Sequence, residues 1–510
     1  MQAHDFIRKW SPGSSAHDLN ERAGAQAHFI DLCRLLGVPE PAEPDRYCFE
    51  RGLTKTGSAR QRTDGFADVW LRGHFAWEYK APGKSLETAL QQLMMYALPL
   101  ENPPLLVVSD RLRIEIHTHF TGTPSERHVF LLEDFARPEV QQRLRALWLA
   151  PDAYRPRRSN RDITEEAART FAATADRLRA AGTPAAVVSH FLTQCLFCFF
   201  AEDVGLLPAR MFERLVGHAH STPERLTQGL AQLFGAMQQG GLFGVDDIPW
   251  FNGGLFKRVE VPKLEILDIT ELRNAASLNW SAIDVSIFGT LFERGLDPAK
   301  RSQLGAHYTD PATIQRLIEP VVERPLRADW QQEAQAMAGL LAKSTRKGDK
   351  QHRAARERFV RWLERLKAYR VLDPACGSGN FLFMGLKALK DIEHRSHLDA
   401  AALGLDREAD LVTGPHNVLG IELNEFAAEL ARVTVWIGEL QWRIQRGYGF
   451  KTQPVLEPAC REFLDASRRV DDRERGGVGA IDQDRFGRAA DDGATHLCVD
   501  RKFDRLRRIG

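Results

Sequence analysis

The 510-residue sequence predicts a multidomain α/β protein built from three consecutive folded units. Three observations lead to this prediction. Residues 1–155 mix helical and two-residue periodicity, residues 156–300 are helical in pattern, and residues 301–457 contain two strand-like runs that each lead into an acidic residue. A chain of this length holds roughly three to four domains of about 100–200 residues. The remaining segment, 458–510, lacks apolar periodicity and predicts a disordered or frameshifted tail.

Composition and charge place the chain among ordinary globular proteins. Hydrophobic residues make up 43% of the sequence, charged residues make up 27%, and the net charge is +1, which is typical of a protein with several apolar cores. The longest apolar run, Phe191–Ala201, is far shorter than the roughly 20 residues of a membrane span, so we expect a buried helix and no membrane contact. The N-terminus has no apolar signal-peptide core, which favours a cytoplasmic protein.

The cysteines favour packing over cross-linking. They number 7, and an odd number argues against a disulfide framework. Cys195 and Cys198 have the spacing of a zinc-binding pair, but no second Cys or His pair follows and both lie in the apolar run. We therefore expect these two side chains in a hydrophobic core.

The first unit contains a predicted hairpin with three converging charges. The stretch "DGFADVWLRGHFAWEYK" alternates with period two on either side of Arg72-Gly73, which predicts a turn there. Pairing the two arms places Asp68 opposite Glu78, and Lys80 shares the face of Glu78 because strand side chains alternate. Two carboxylates can hold Mg²⁺ through oxygen ligands, and a lysine can orient a water molecule, so the cluster suits phosphodiester hydrolysis. A solvated hairpin face is the alternative.

The pattern Asp-x9-Glu-x-Lys resembles the core of PD-(D/E)xK nucleases. The following helix adds Gln92 and Tyr96 at i,i+4, which match an accessory pair in some of these nucleases and favour that reading over a solvated face. The runs "PPLLVVSD" and "RIEIHTHF" predict two further strands. The resemblance implies an α/β restriction-endonuclease-like domain over residues 1–155, with Asp68 and Glu78 as metal ligands and Mg²⁺ as the ion.

The middle unit, 156–300, is predicted to be an all-α connector. The run "ITEEAARTFAATADRLRAAG" predicts a helix that closes at Gly182. Glu202 and Asp203 follow the apolar run, where a solvated helix end is favoured over a metal site. The segment "WFNGGLF" predicts a chain reversal at 252–254.

The third unit contains the turn "VLDPACGSGNFL". Val371 and Leu372 are expected to end a strand, with Asp373 at its carboxyl edge. Gly377 and Gly379 allow a tight turn before a helix that begins near residue 381. The small residues leave room for a ligand close to the backbone. A strand-to-helix turn without a ligand is the less favoured alternative.

The octet Asp-Pro-Ala-Cys-Gly-Ser-Gly-Asn resembles motif I of S-adenosylmethionine-dependent methyltransferases. The run "VLGIELNEF" resembles motif II, whose carboxylate accepts the ribose hydroxyls of the cofactor, and "LGAHYTDPA" resembles motif X. The order X, I, II is that of the gamma-class adenine-N6 DNA methyltransferases. The resemblance implies a Rossmann-like domain with a cofactor site formed by Tyr308, Thr309, Asp373, Ala375, Gly377, Gly379, Asn380 and Glu422.

The whole order of units resembles the MmeI-like type IIL restriction–modification enzymes, over about residues 5–455. That family has sequence segments similar to "YCFERGLTKTG", "WEYK", "FAEDVGLLP" and "FNGGLF". The resemblance implies one polypeptide that cuts and methylates double-stranded DNA with Mg²⁺ and S-adenosylmethionine. The oligomeric state stays open.

The resemblance stops near Pro458. Adenine-N6 transfer needs an Asn-Pro-Pro-Tyr/Phe loop after motif II to hold the flipped base, and no such tetrapeptide follows Glu422. Asn102-Pro103-Pro104-Leu105 is expected to be a strand-entry loop. We therefore interpret the methyltransferase domain as incomplete, truncated or frameshifted, and expect no methyl transfer. Two alternatives stay open: a Mg²⁺ nuclease that binds the cofactor only as an allosteric ligand, and an inert fragment that binds cofactor or DNA.

Overall fold

The first unit is a six-stranded sheet with helices on both faces. The computed structural model describes residues 1–51, 67–208, 210–218, 222–251, 255–285, 311–405, 411–423 and 425–449. The strands lie in chain order in the sheet, and only β3 and β4 pair in parallel. They are β1 (Tyr47–Arg51), β2 (Ala67–Leu71), β3 (Phe75–Tyr79), β4 (Leu105–Ser109), β5 (Arg113–Thr118) and β6 (Arg127–Leu131).

Four helices cover this sheet. One face packs on α1 (Ala3–Trp10), α2 (Glu21–Leu36) and α4 (Pro138–Leu149), and the other on α3 (Leu86–Met95). The α2 helix ends at Gly37 in the left-handed conformation, with φ 63°. The predicted hairpin and the predicted β4 and β5 strands are confirmed, and Pro103 and Pro104 directly precede β4.

The middle unit is mostly helical. Its helices are α5 (Asn160–Ala180), α6 (Ala185–Asp203), α7 (Met211–His218), α8 (Pro223–Gln239) and α9 (Ile266–Ala276). The prediction of an all-α connector was wrong in one respect, because β7 (Gly241–Phe243) and β8 (Asp246–Ile248) form a short antiparallel hairpin. The hairpin is too short to show a clear period-two pattern in the sequence.

The α6 helix is the centre of this unit. By length and composition alone it could cross a membrane, but most of its residues are buried inside the protein. Cys195 and Cys198 are fully buried free thiols within it, as the sequence predicts. Asp203 is exposed and Glu202 is half-buried, so the predicted solvated helix end is partly confirmed, but both side chains also have backbone partners. Glu202 accepts the backbone N–H of Phe212 at 2.7 Å, and Asp203 accepts that of Trp280 at 2.6 Å, so both carboxylates cap neighbouring helical segments.

The third unit surrounds a pair of parallel strands. β9 (Val371–Asp373) pairs with β10 (Val418–Gly420), and Asp373 lies opposite Gly420. The helices are α10 (Pro311–Ile318), α11 (Arg324–Leu341), α12 (Lys350–Ala368), α13 (Asn380–Ala402) and α14 (Glu425–Gln445), and a π-helical turn, Glu319–Glu323, joins α10 to α11.

The α14 helix packs into the core of the middle unit as well as against α13. Its Trp436 ring stacks on Phe197 of α6 with 4.6 Å between centroids. Its Gln441 side chain donates to the carbonyls of Ser281 and Ile283 at 3.1 and 2.7 Å. The α14 helix therefore belongs to the hydrophobic core of the middle unit, whereas α10 to α13 contribute to a separate core. The predicted turn at 252–254, Tyr308, Thr309 and the tail at 458–510 lie outside the described residues.

Candidate functional site

The acidic hairpin has the register that the sequence predicts. Val69 pairs with Trp77, so extending the ladder by one residue places Asp68 opposite Glu78. Gly73 occupies the turn with φ 71°, a left-handed conformation that glycine adopts without strain. Both acidic side chains lie on the sheet face that packs against α3.

Four of the five predicted nuclease residues come together. Lys80 donates to Glu78 with 2.9 Å between Nζ and Oε1. Asp68 accepts the backbone N–H of Tyr79 at 2.7 Å, which fixes the carboxylate beside the same strand. The Gln92 side chain of α3 lies close enough to Glu78 to lower the pKa of its carboxyl group. Tyr96 lies at the end of α3, where it packs against the hydrophobic cluster between α3 and the sheet.

The environment of Asp68 and Glu78 disfavours the charged form of both carboxyl groups. Burial, together with the charge of Asp68, raises the pKa of Glu78 to about 7, and burial raises the pKa of Asp68. Burial opposes the charged form of Lys80, but the neighbouring carboxylates outweigh it and raise the pKa of the ammonium group. Two neighbouring acids that repel each other, one buried and one half-buried, are a donor set that fits a divalent cation, because the cation offsets their repulsion.

A further acid at this site was missed in the sequence. Glu21 is the first residue of α2, and its carboxylate accepts the backbone N–H of Ala81 at 3.0 Å. Its Oε1 atom lies 4.0 Å from Lys80 Nζ. No local pattern links Glu21 to the hairpin, because only the packing of α2 on the sheet brings them together. Among the described residues, no group of three or more His, Cys, Asp or Glu side chains is arranged to hold a metal, so the predicted ion would rest on Asp68 and Glu78 with backbone or water oxygens.

The glycine-rich turn joins β9 to α13. The Ile421 N–H donates to the Asp373 carbonyl at 2.9 Å, and the Cys376 N–H donates to the Ile421 carbonyl at 3.0 Å. The Asp373 side chain accepts the Ala375 N–H at 3.1 Å, which holds the first bend of the turn. The α13 helix begins at Asn380, one residue before the predicted position.

Gly377 and Gly379 have different roles in this turn. Both have positive φ, 50° and 87°. A Cβ atom at Gly379 would lie 2.8 Å from Ala431 Cα and 3.0 Å from its carbonyl oxygen, so the turn packs directly on the α14 backbone. A Cβ atom at Gly377 would meet nothing within 4 Å. Gly379 is therefore required for packing, whereas Gly377 leaves open space beside the turn.

Glu422 lies next to this turn, two residues beyond the end of β10. Its Oε2 atom accepts the Gly377 N–H at 2.9 Å. Asn380 Oδ1, at the start of α13, is buried without a hydrogen-bond partner, an arrangement that a bound polar ligand would satisfy. The residues present therefore fit a nucleoside cofactor. Six of the eight predicted cofactor residues gather here, and Tyr308 and Thr309 lie outside the described residues.

Two family models match the chain. Residues 348–457 match the model described as MmeI, DNA-methyltransferase domain. Residues 186–256 match the model described as MmeI, helicase spacer domain. The chain therefore carries two MmeI-type domains. The spacer match covers α6 to α8, and the methyltransferase match covers α12, the glycine-rich turn and α14. Both matched segments lie downstream of the first unit.

A curated relative is also named a DNA methyltransferase. DNA methyltransferase A of Bacillus subtilis (strain 168) is 27% identical over 273 residues, a region that covers 49% of this chain and 27% of that protein. The chain thus spans about a quarter of the length of this curated relative. The type IIL restriction-modification enzyme MmeI in complex with DNA is 26% identical, with a TM-score of 0.47 over 57% of this chain and 39% of that one. A DrdV–DNA complex gives 14% identity and a TM-score of 0.27, over 92% of this chain and 42% of that one.

Proposed function

We propose that residues 1–155 form a Mg²⁺-dependent DNA nuclease of the PD-(D/E)xK type. The observation that carries this proposal is the convergence of Asp68, Glu78, Lys80 and Gln92 in one partly buried cluster, although Gln92 comes from a different element. A solvated hairpin face would not bury Glu78 to 6% exposure or give its pKa a value near 7. The alternative of an ordinary surface hairpin is therefore disfavoured.

Each side chain has a defined part in this chemistry. Asp68 and Glu78 would hold Mg²⁺, which supplies polarisation of the scissile phosphate and acidification of a water molecule. The Tyr79 N–H and the Gln92 amide keep the two carboxylates in position. Lys80 Nζ, 2.9 Å from Glu78, would orient the attacking water and offset charge on the phosphate. Glu21 lies beside Lys80 and stabilises the charged form of its ammonium group.

We propose further that the methyltransferase domain binds S-adenosylmethionine at the turn between β9 and α13. Glu422 would exchange its hydrogen bond from the Gly377 N–H for hydrogen bonds from the ribose hydroxyls. Asp373 would keep the turn in shape through the Ala375 N–H, and Gly377 would leave the ligand room. The order of the motifs supports adenine-N6 as the target atom of the family reaction.

The 510-residue chain alone is proposed to bind the cofactor and to transfer no methyl group to DNA. Transfer requires the cofactor methyl and the adenine amine to be held about 3–3.5 Å apart. No Asn-Pro-Pro-aromatic sequence follows Glu422 in the printed chain. Residues 423–510 therefore contain no sequence of the type that would hold the amine. The same observation favours a second candidate function, in which the cofactor serves the nuclease only as a bound ligand.

The decisive experiment combines cofactor binding with methyl transfer. The chain is incubated with tritiated S-adenosylmethionine and DNA from an unmodified host, and cofactor binding is measured by calorimetry. We expect binding without incorporation of tritium into DNA. The control is Gly377→Trp, whose side chain fills the space beside the turn. Incorporation clearly above that control would contradict the proposal, and absence of binding by the parent would remove the cofactor site.

A further inference from the structure

The segment that follows α14 approaches α3 of the first unit closely at a buried glycine. A Cβ atom at Gly447 would lie 2.2 Å from the backbone oxygen of Gln91 and 3.2 Å from Met94 Cβ, both in α3. Gly447 also has φ 68°. Any other residue would meet the α3 backbone, which cannot swing aside as a flexible side chain can. Only glycine allows this approach.

The opposite side of the same segment is fastened to α13. Tyr448 Oη lies 2.9 Å from His394 Nδ1. Trp442 donates to Asp391 at 2.8 Å, and its ring stacks on that of Tyr448 with 5.6 Å between centroids. The segment is therefore held by α13 on one side and presses against α3 on the other. Its position is defined by the methyltransferase domain.

The contact involves the residue next to Gln92, whose side chain lies close enough to Glu78 to lower its pKa. We propose that Gly447 is a positioning residue for the nuclease site: by letting the end of the methyltransferase domain pack directly on α3, it keeps Gln92 beside Glu78. The proposal rests on the nuclease function proposed above. It assigns a role to a residue of the methyltransferase domain in a site more than 300 residues earlier in the chain.

The expected consequence of a side chain at residue 447 follows from the contact distance. A carbon atom 2.2 Å from a carbonyl oxygen must move away by about an ångström to reach an ordinary contact. Since the segment is fastened to α13, α3 takes part of this movement and carries Gln92 away from Glu78. Loss of a contact that orients a metal-binding carboxylate weakens metal binding by about tenfold to a hundredfold.

The first measurement is binding of Mn²⁺, used in place of Mg²⁺ because its free form is read directly by electron paramagnetic resonance. The full chain, Gly447→Ala and Gly449→Ala are titrated under the same conditions. Gly449 is a matched control, because it lies in the same segment and a Cβ atom there meets nothing within 4 Å. We expect about tenfold weaker Mn²⁺ binding in Gly447→Ala and the parent affinity in Gly449→Ala. Equal affinity in Gly447→Ala and the parent would overturn the positioning role.

A Glu78→Gln variant separates this proposal from the nuclease assignment. If Mn²⁺ binding is unchanged in Glu78→Gln, the ion is bound elsewhere and the metal site itself is misassigned. If binding is lost in Glu78→Gln yet unaffected by Gly447→Ala, the metal site stands and only the role of Gly447 is refuted.

A double-mutant cycle distinguishes positioning from general damage to the fold. If Gly447 acts through Gln92, then Gly447→Ala should weaken Mn²⁺ binding little further in a Gln92→Ala background. Additive losses would mean that Gly447 acts by another route, and would overturn the proposal. Should Gly447→Ala not fold, Tyr448→Phe loosens the same segment by removing the hydrogen bond to His394. In the parent background, Tyr448→Phe should weaken Mn²⁺ binding by a smaller factor than Gly447→Ala does. In the Gln92→Ala background it should not weaken binding further. Weaker binding in the Gln92→Ala background but not in the parent background would refute the proposal.

Discussion

The nuclease-like and methyltransferase-like units differ in how fully the described residues enclose each site. In the first unit, six paired strands carry helices on both faces, and Glu78 is buried to 6% exposure. In the third unit, the described sheet has two strands, and Leu372 of β9 is 50% exposed. A strand in the middle of a parallel sheet is normally covered on both faces.

The difference follows from how each site is assembled along the chain. Asp68, Glu78, Lys80 and Gln92 come from one hairpin and the next helix, so local pairing brings them together. The cofactor turn depends on the pairing of β9 with β10 and on the packing of α14. A site made of neighbouring elements is closed by contacts near in sequence, whereas a parallel-sheet site depends on distant ones.

The largest expected effect tests whether the first site is a working nuclease. Lys80→Ala and Glu78→Gln should reduce Mn²⁺- or Mg²⁺-dependent nicking of supercoiled plasmid by about a thousandfold, because metal polarisation and water orientation are worth several kcal/mol. The measurement is the initial rate at which nicked circles form.

Glu101→Gln is the control for that assay. Glu101 pairs with Arg72 at 2.7 Å near the same hairpin but is exposed, so its loss is worth less than about 1 kcal/mol. Nicking that survives in Lys80→Ala at the parent rate would show that the first unit is not the nuclease. The first and third units could then no longer be compared as a nuclease site and a cofactor site.

The second effect tests how tightly the cofactor turn is packed. Gly379→Ala should lower the free energy of unfolding by about 3 kcal/mol, since it combines a left-handed backbone with a clash against the α14 backbone. Gly377→Ala should cost only about 1 kcal/mol, because it carries the backbone strain without the clash. Urea unfolding followed by tryptophan fluorescence measures both. Equal losses in the two variants would mean that α14 does not pack on the turn.

Much of the candidate chemistry could be predicted because it lies in local patterns. Period-two alternation on either side of Gly73 gave the β2–β3 register, and with it the pairing of Asp68 with Glu78. The octet that ends at Asn380 predicted the strand, turn and helix start in order. The i,i+4 spacing of Gln92 and Tyr96 placed Gln92 correctly on α3.

The parts that were missed depend on packing between distant segments. Glu21 reaches Ala81 only because α2 lies across the sheet. Glu202 and Asp203 follow an apolar run as a solvated end would, yet their partners are backbone N–H groups of Phe212 and Trp280. Gly447 packs against α3, which lies more than 300 residues earlier in the chain. None of these contacts has a periodic signature in the sequence.

The third effect concerns the stability of the first unit and its dependence on pH. Because the pKa of Glu78 is raised to about 7, its contribution to folding is largest below the ordinary carboxyl pKa and is lost as pH rises through about 7. In the absence of divalent ions, the free energy of unfolding of Glu78→Gln should therefore rise by about 2 kcal/mol relative to that of the parent between pH 5 and pH 8. Urea unfolding at the two pH values measures this gain. If the parent and the variant differ in free energy of unfolding by the same amount at both pH values, Glu78 is not buried beside Asp68.

The smallest expected effect tests the cofactor contact of the more open unit. Glu422→Gln keeps the size of the side chain and removes its charge, so hydrogen bonds from the ribose hydroxyls to a charged acceptor are weakened. We expect S-adenosylmethionine binding to weaken by about tenfold, which corresponds to about 1.4 kcal/mol. Calorimetry on the full chain measures the change, with Glu364→Gln on the exposed face of α12 as the control. The effect is modest because Glu422 already accepts the Gly377 N–H, and the cofactor must replace that bond before it gains its own. Unchanged affinity in Glu422→Gln would remove this residue from the cofactor site and leave its bond to Gly377 as a structural contact of the turn.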